Sequence, residues 1–174
     1  MPLKVNESFT HKGEEDAIPK EIAKRADVYS NAIRSIQEID LIFLKSCGYY
    51  ETVIDEILQS IGYETRDLEK IGILAKIKTL RGIIPFQGLI ESMEKYSKLT
   101  NARNSVAHTP SYRLENDNHF LSSILKLNPP YNILQIKNAM SLYFIDIYSA
   151  PLFIATGIKY NNTESQFLVF EHKD

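Results

Sequence analysis

Apolar side chains at helical spacing organise most of this chain. From Pro19, the positions Ile22, Tyr29, Ile33, Ile36, Phe43 and Cys47 keep to one face and predict a long first helix, with proline in its first turn and Gly48 closing it. Asp40 falls on the same stripe, between Ile36 and Phe43. A second helix, about Glu51 to Ile61, uses Val53, Ile54, Ile57 and Leu58, and Gly62 supplies its stop. The third starts after Thr65, an N-cap residue type, and runs through Leu68, Ile71, Leu74, Ile77 and Leu80 to Gly82. "GIIP" (Gly82 to Pro85) joins a glycine stop to a proline start, so two helices turn back on each other there, and the fourth spans Phe86 to about His108. An irregular region follows, with one short helix near Phe120 to Leu125 ended by Pro129 and Pro130. The last long helix, Ile133 to about Tyr148, is apolar nearly all round, as expected at the centre of a bundle or in a subunit interface, and Pro151 should kink or end it.

The pattern therefore predicts an all-α bundle of about five helices over residues 18–160. Residues 1–17 are polar and patternless and read as a flexible tail. In the C-terminal tail, 161–174, the stretch "QFLVFEH" can form a short strand if it finds a partner.

A length of 174 residues suits one domain, and 44% hydrophobic with 24% charged residues is ordinary for a globular protein. The single Cys47 cannot form an internal disulfide and lies in an apolar run, which predicts a buried, inert thiol and fits a reducing, cytoplasmic setting. The first residues lack a signal-type apolar core, and no apolar run approaches the ~18 residues of a membrane span. The net charge of -2 is unevenly spread: residues 1–65 carry -5, residues 66–113 carry +5 and residues 114–174 carry -2. The basic third would suit a polyanion, and equally a solvated face with no ligand.

At the end of that basic third stands "LTNARNSVAHTPSY" (Leu99 to Tyr112). The stripe Leu89, Met93, Tyr96, Leu99 continues onto Arg103 and then Val106, so Arg103 takes the place of an aliphatic residue. A guanidinium cannot shed its charge, so it needs either an internal partner, for which Asp40 is the natural choice, or a cleft that an anion enters. Pro110 biases Thr109 away from helical geometry, which puts His108 in the last turn, at the negative end of the helix dipole. Asn104, four residues earlier, shares its face; Arg103, five residues earlier, is about 140° round and must curl to meet the same anion. A histidine here can take a proton from a ribose 2′-hydroxyl or give one to a leaving 5′-oxygen, and an arginine can stabilise charge on the phosphorus oxygens. Together they suffice for RNA cleavage without a metal, leaving a 2′,3′-cyclic phosphate. One histidine can hardly serve as both acid and base, and a two-fold dimer would supply the second.

Arg103-Asn104-Ser105-Val106-Ala107-His108 resembles the Arg-polar-x3-His signature of the HEPN superfamily, whose helical-bundle members include RNases of toxin–antitoxin and phage-defence systems. The wider stretch "LAKIKTLRGIIPFQGLIESMEKYSKLTNARNSVAH" also resembles the mannitol operon repressor family, in which a Lys-bearing helix, a Gly turn and an Arg-to-His helix follow in the same order. The resemblance implies an endoribonuclease, or alternatively a non-catalytic regulator or assembly protein. It assigns Arg103 and His108 as the catalytic pair, Asn104 as a positioning residue, and Asp40 or Glu38 as a supporting acid. It further implies a homodimer, RNA as substrate, and an antitoxin or nucleotidyltransferase as partner. HEPN toxins often carry a tyrosine two residues after the histidine; Pro110 stands there instead, with Tyr112 the nearest tyrosine.

Other chemistry is poorly provided for. The four histidines are scattered, no HExxH or paired cysteine exists, and there is neither a glycine-rich phosphate loop nor a GxSxG elbow, so no metal and no cofactor are expected. Lys95, Lys98 and Arg113 flank the motif as candidate phosphate contacts. Tyr96, Tyr112 and Tyr131 could stack on unpaired bases, although tyrosine at helical spacing more often belongs to a core.

Overall fold

The structure is a computed structural model that describes residues 3–6, 17–162 and 169–172, with side chains over 20–158. Its body is all-α: α1 (Ala17–Arg34), α2 (Ile39–Ser60), the single turn α3 (Thr65–Leu68), α4 (Ile73–Ile83), α5 (Gln87–Ser97), α6 (Thr100–His108) and α7 (Ile133–Asn162). A 3₁₀ turn at Leu114–Asn116 and a π turn at His119–Ile124 lie between α6 and α7.

The helix boundaries differ from the pattern in instructive ways. The predicted first helix is two helices, because the chain leaves helical geometry after Arg34 and re-enters at Ile39, with Glu38 extended. No glycine or proline marks the break, and Ile33, Ile36 and Ile39 all turn inward across it, which kept the periodicity intact. Gly48 does not stop anything: α2 runs straight through it and ends at Ser60, followed by Gly62, whose φ of 107° only glycine adopts without strain. The third predicted helix is interrupted between Leu68 and Ile73, and the fourth at Lys98 and Leu99. α7 continues past Pro151 to Asn162.

Why proline is tolerated there is visible in its neighbours. Pro151 has no N–H to give to the carbonyl of Ile147, four residues back. The buried Ser92 hydroxyl of α5 donates to that carbonyl instead, and the Tyr50 hydroxyl of α2 lies 2.9 Å from Ser92 Oγ. One vacancy in a helix ladder thus fastens three helices together.

α2 and α7 pack along each other at the centre, with α5 against α7, α1 across both, and α4 and α6 on α2. Phe43, Tyr50, Ile54, Leu58, Phe144 and Ile147 are wholly buried between them. Aromatic edges interlock: Tyr29 meets Tyr148 at 5.0 Å between ring centroids and Phe43 meets Phe120 at 5.3 Å. Within α7, Ile133–Ile158 is long and apolar enough to cross a membrane, contrary to expectation, but 56% of its most apolar window is buried inside the fold, as befits a core helix.

Part of the expected N-terminal tail has structure. Leu3–Asn6 (β1) pairs antiparallel with Val169–His172 (β2), Val5 opposite Phe170, so the C-terminal strand finds its partner at the other end of the chain. Residues 7–16 and Gln166 to Leu168 lie outside the described residues.

Candidate functional site

Arg103 is set by the stripe that precedes it. Leu89, Met93, Tyr96 and Leu99 are all fully buried, and the turn at Lys98–Leu99 does not throw the next positions out of phase. Arg103 therefore arrives at the edge of the core with its side chain one-third exposed. The carboxylate it meets belongs to Glu51 of α2, with Arg103 Nε 3.4 Å from Glu51 Oε1 and Nη2 3.5 Å from Oε2.

Asp40 is not that partner. The break before Ile39 places it in the first turn of α2, eleven residues and about 16 Å of helix rise before Glu51. There its Oδ1 accepts the backbone N–H of Leu114 at 2.9 Å, and Oδ2 lies 4.0 Å from Arg113 Nε. Glu38, just before the helix, is exposed and lines a shallow pocket with Asp40, Arg113 and Glu115. Asp40 thus serves the loop after α6 and not Arg103, and Glu38 lies on the same side of the fold, away from the Arg103 pair.

Glu51 has a second, shorter bond. The Tyr96 hydroxyl donates to its Oε1 at 2.6 Å, and the Tyr96 ring lies flat on Tyr50, 4.2 Å between centroids at 8°. Burial, with Cys47 and Glu51 close by, pushes the Tyr96 phenol far above its ordinary range. Burial likewise raises the Cys47 thiol to about 12. Tyr96 is wholly enclosed, so base stacking is closed to it.

One turn along α2, Asp55 faces α4. Its Oδ1 lies 2.7 Å from the ammonium of Lys76, an ion pair outside aligned hydrogen-bond geometry. Glu51, Lys76, Thr100, Arg103 and Asn104, with the first residues of α4, line a cleft of about 360 Å³ between α4 and α6. Arg103 and Asn104 share this cleft. His108 is not among its lining residues: it ends α6 one turn beyond Asn104, exposed, with Thr109 extended as Pro110 demands.

The flanking candidates fall into two kinds. Lys98 is exposed at the turn between α5 and α6. The others are engaged: Lys95 Nζ with Asp146, the Tyr112 hydroxyl as donor to Asp117, and Arg113 Nη1 as donor to the carbonyls of Pro110 at 3.0 Å and Tyr112 at 2.8 Å. Half-burial and the Asp117 carboxylate raise the Tyr112 phenol above its ordinary range. Among the described residues no group of three or more His, Cys, Asp or Glu is placed to hold a metal.

Sequence reasoning missed Glu51, and the signal was present. Cys47, Tyr50, Ile54 and Leu58 are buried around it at helical spacing, but a helix ended at Gly48 hides that continuity. No protein-family model, no curated protein and no solved structure matches this chain.

Proposed function

We propose that this chain is a metal-independent endoribonuclease of the HEPN kind, of the toxin or phage-defence type, acting in the cytoplasm as a homodimer. The observation that supports this reading best is the short helix α6. It presents Arg103 and Asn104 to an open cleft and ends on a solvent-exposed His108. In the proposed reaction His108 removes the proton from a ribose 2′-hydroxyl, whose oxygen attacks the adjacent phosphorus. Arg103 stabilises the charge on the phosphoryl oxygens, and the 5′-oxygen leaves with a proton from the second copy's histidine. The products are a 2′,3′-cyclic phosphate and a 5′-hydroxyl. Leu134, Leu142 and Ile145, exposed on one face of α7, supply apolar surface for the second copy. An antitoxin or nucleotidyltransferase partner would restrain the activity.

The alternative is a HEPN-like regulator without catalysis, resembling the mannitol operon repressor. The Glu51 pairing favours it to the extent that Arg103 serves the fold. Incubating purified protein with RNA in EDTA separates the two. The nuclease cuts and leaves cyclic phosphate ends, and His108→Ala lowers the rate by at least about 10²-fold with helicity and dimerisation unchanged. Absence of cutting by the wild type, or full activity in His108→Ala, removes the nuclease reading.

A further inference from the structure

The Glu51 carboxylate divides its attention unevenly. Charge-assisted N–H···O bonds usually measure about 2.7–2.9 Å, so the contacts to Arg103 at 3.4 and 3.5 Å are slack, while the bond from the Tyr96 hydroxyl at 2.6 Å is tight. Tyr96 has no freedom to follow a moving carboxylate, because its ring is fully buried and stacked on Tyr50, which is itself tied to Ser92. Glu51 is thereby pinned toward the core. It meets the guanidinium along the Nε–Nη2 edge at two long contacts and does not close on it, and Arg103 lines the cleft beside Asn104.

We infer that Tyr96 is a positioning residue that keeps Arg103 open to an RNA phosphodiester by holding Glu51 back. The inference rests on the reading of Arg103 as a phosphate-binding group. Without the Tyr96 hydroxyl, Oε1 loses its inward donor and the two long contacts to Nε and Nη2 tighten into a close, bidentate pair. That pair occupies the same two N–H groups a phosphate would use.

The test is anisotropy titration of a short, fluorescently labelled 2′-O-methyl RNA, which cannot be cut, against full-length protein in EDTA. Tyr96→Phe keeps the stacked ring and should bind about tenfold more weakly than wild type. Adding Glu51→Gln to it should bring binding back to within about twofold of wild type, because a neutral amide has no charge with which to sequester Arg103. Glu51→Gln alone, which still accepts from Tyr96, should bind at least as tightly as wild type, and it decides the matter if Tyr96→Phe does not fold. Wild-type affinity in Tyr96→Phe, no recovery in the double variant, or weaker binding by Glu51→Gln overturns the inference. The nuclease reading is judged separately with an unmodified RNA. Binding in the expected pattern without cutting leaves the positioning role and removes catalysis. Cutting by a Tyr96→Phe protein that binds like wild type does the reverse, and a wild type that binds no RNA removes both.

Discussion

The Lys76 side-chain nitrogen lies where the residue is only 8% exposed, against one carboxylate, Asp55, at 2.7 Å. A buried ion pair is expensive to assemble, and removing one member is worse, because the other charge is left without compensation. Asp55 retains about a third of its exposure, so water will recover part of the loss. Lys76→Met should therefore destabilise the protein by about 1–3 kcal/mol, read as a lower urea midpoint at unchanged slope. Asp55→Asn in the same chain should restore most of it; a double variant no better than the single would mean that the lysine stem's packing, and not its charge, is what matters. At this scale the sequence was only half readable. An arginine in an aliphatic place calls for an internal carboxylate or a cleft that an anion enters, and a carboxylate, Glu51, is near. Which carboxylate could not be read, since Asp40 and Glu51 both sit on a buried stripe of nearby helical turns, and the choice depends on where the intervening helix begins.

Helix boundaries carried that ambiguity. Periodicity located the buried faces well: Leu89, Met93, Tyr96 and Leu99 are all fully enclosed, as the spacing predicts. It located the breaks poorly, because the turn between α1 and α2 uses no glycine or proline and preserves the inward phase of its isoleucines, while Gly48 sits inside a continuous helix. Glycine ends a helix when its positive φ is used, as at Gly62, and merely weakens one when it is not. Gly48 is exposed, and a Cβ there would meet nothing within 4 Å. Gly48→Ala should consequently stabilise the fold by about 0.5–1 kcal/mol, through a less flexible unfolded chain. Differential scanning calorimetry should show a rise of a few degrees. A fall would mean that α2 needs the glycine for some contact beyond its own helix.

The molecule as a whole has placed an unusual share of its weak acids in its interior. Tyr29, Tyr50, Tyr96 and Tyr148 are buried, and Cys47 lies among them. Burial raises Tyr29 and Cys47 to about 12 and the other three phenols further still. In the unfolded chain the same groups titrate near 10 and 9. Above about pH 9 the unfolded state therefore binds fewer protons than the native state, so stability falls as pH rises. The contribution is fully present below pH 9; it is lost through about pH 12 for Tyr29 and Cys47 and continues to fall above that for the other three. Each group ionised in the unfolded state alone removes about 1.4 kcal/mol per pH unit, so four phenols and a thiol together drain about 6 to 7 kcal/mol per unit above pH 10. Against a stability of about 5–15 kcal/mol, that predicts cooperative unfolding near pH 11 to 12. Absorbance at 295 nm should show the buried phenols ionising in a single step that coincides with the loss of the 222 nm ellipticity. Ionisation of all the tyrosines near pH 10 by a protein that stays helical would show that the aromatic centre admits water and is not the closed core from which Tyr96 reaches Glu51.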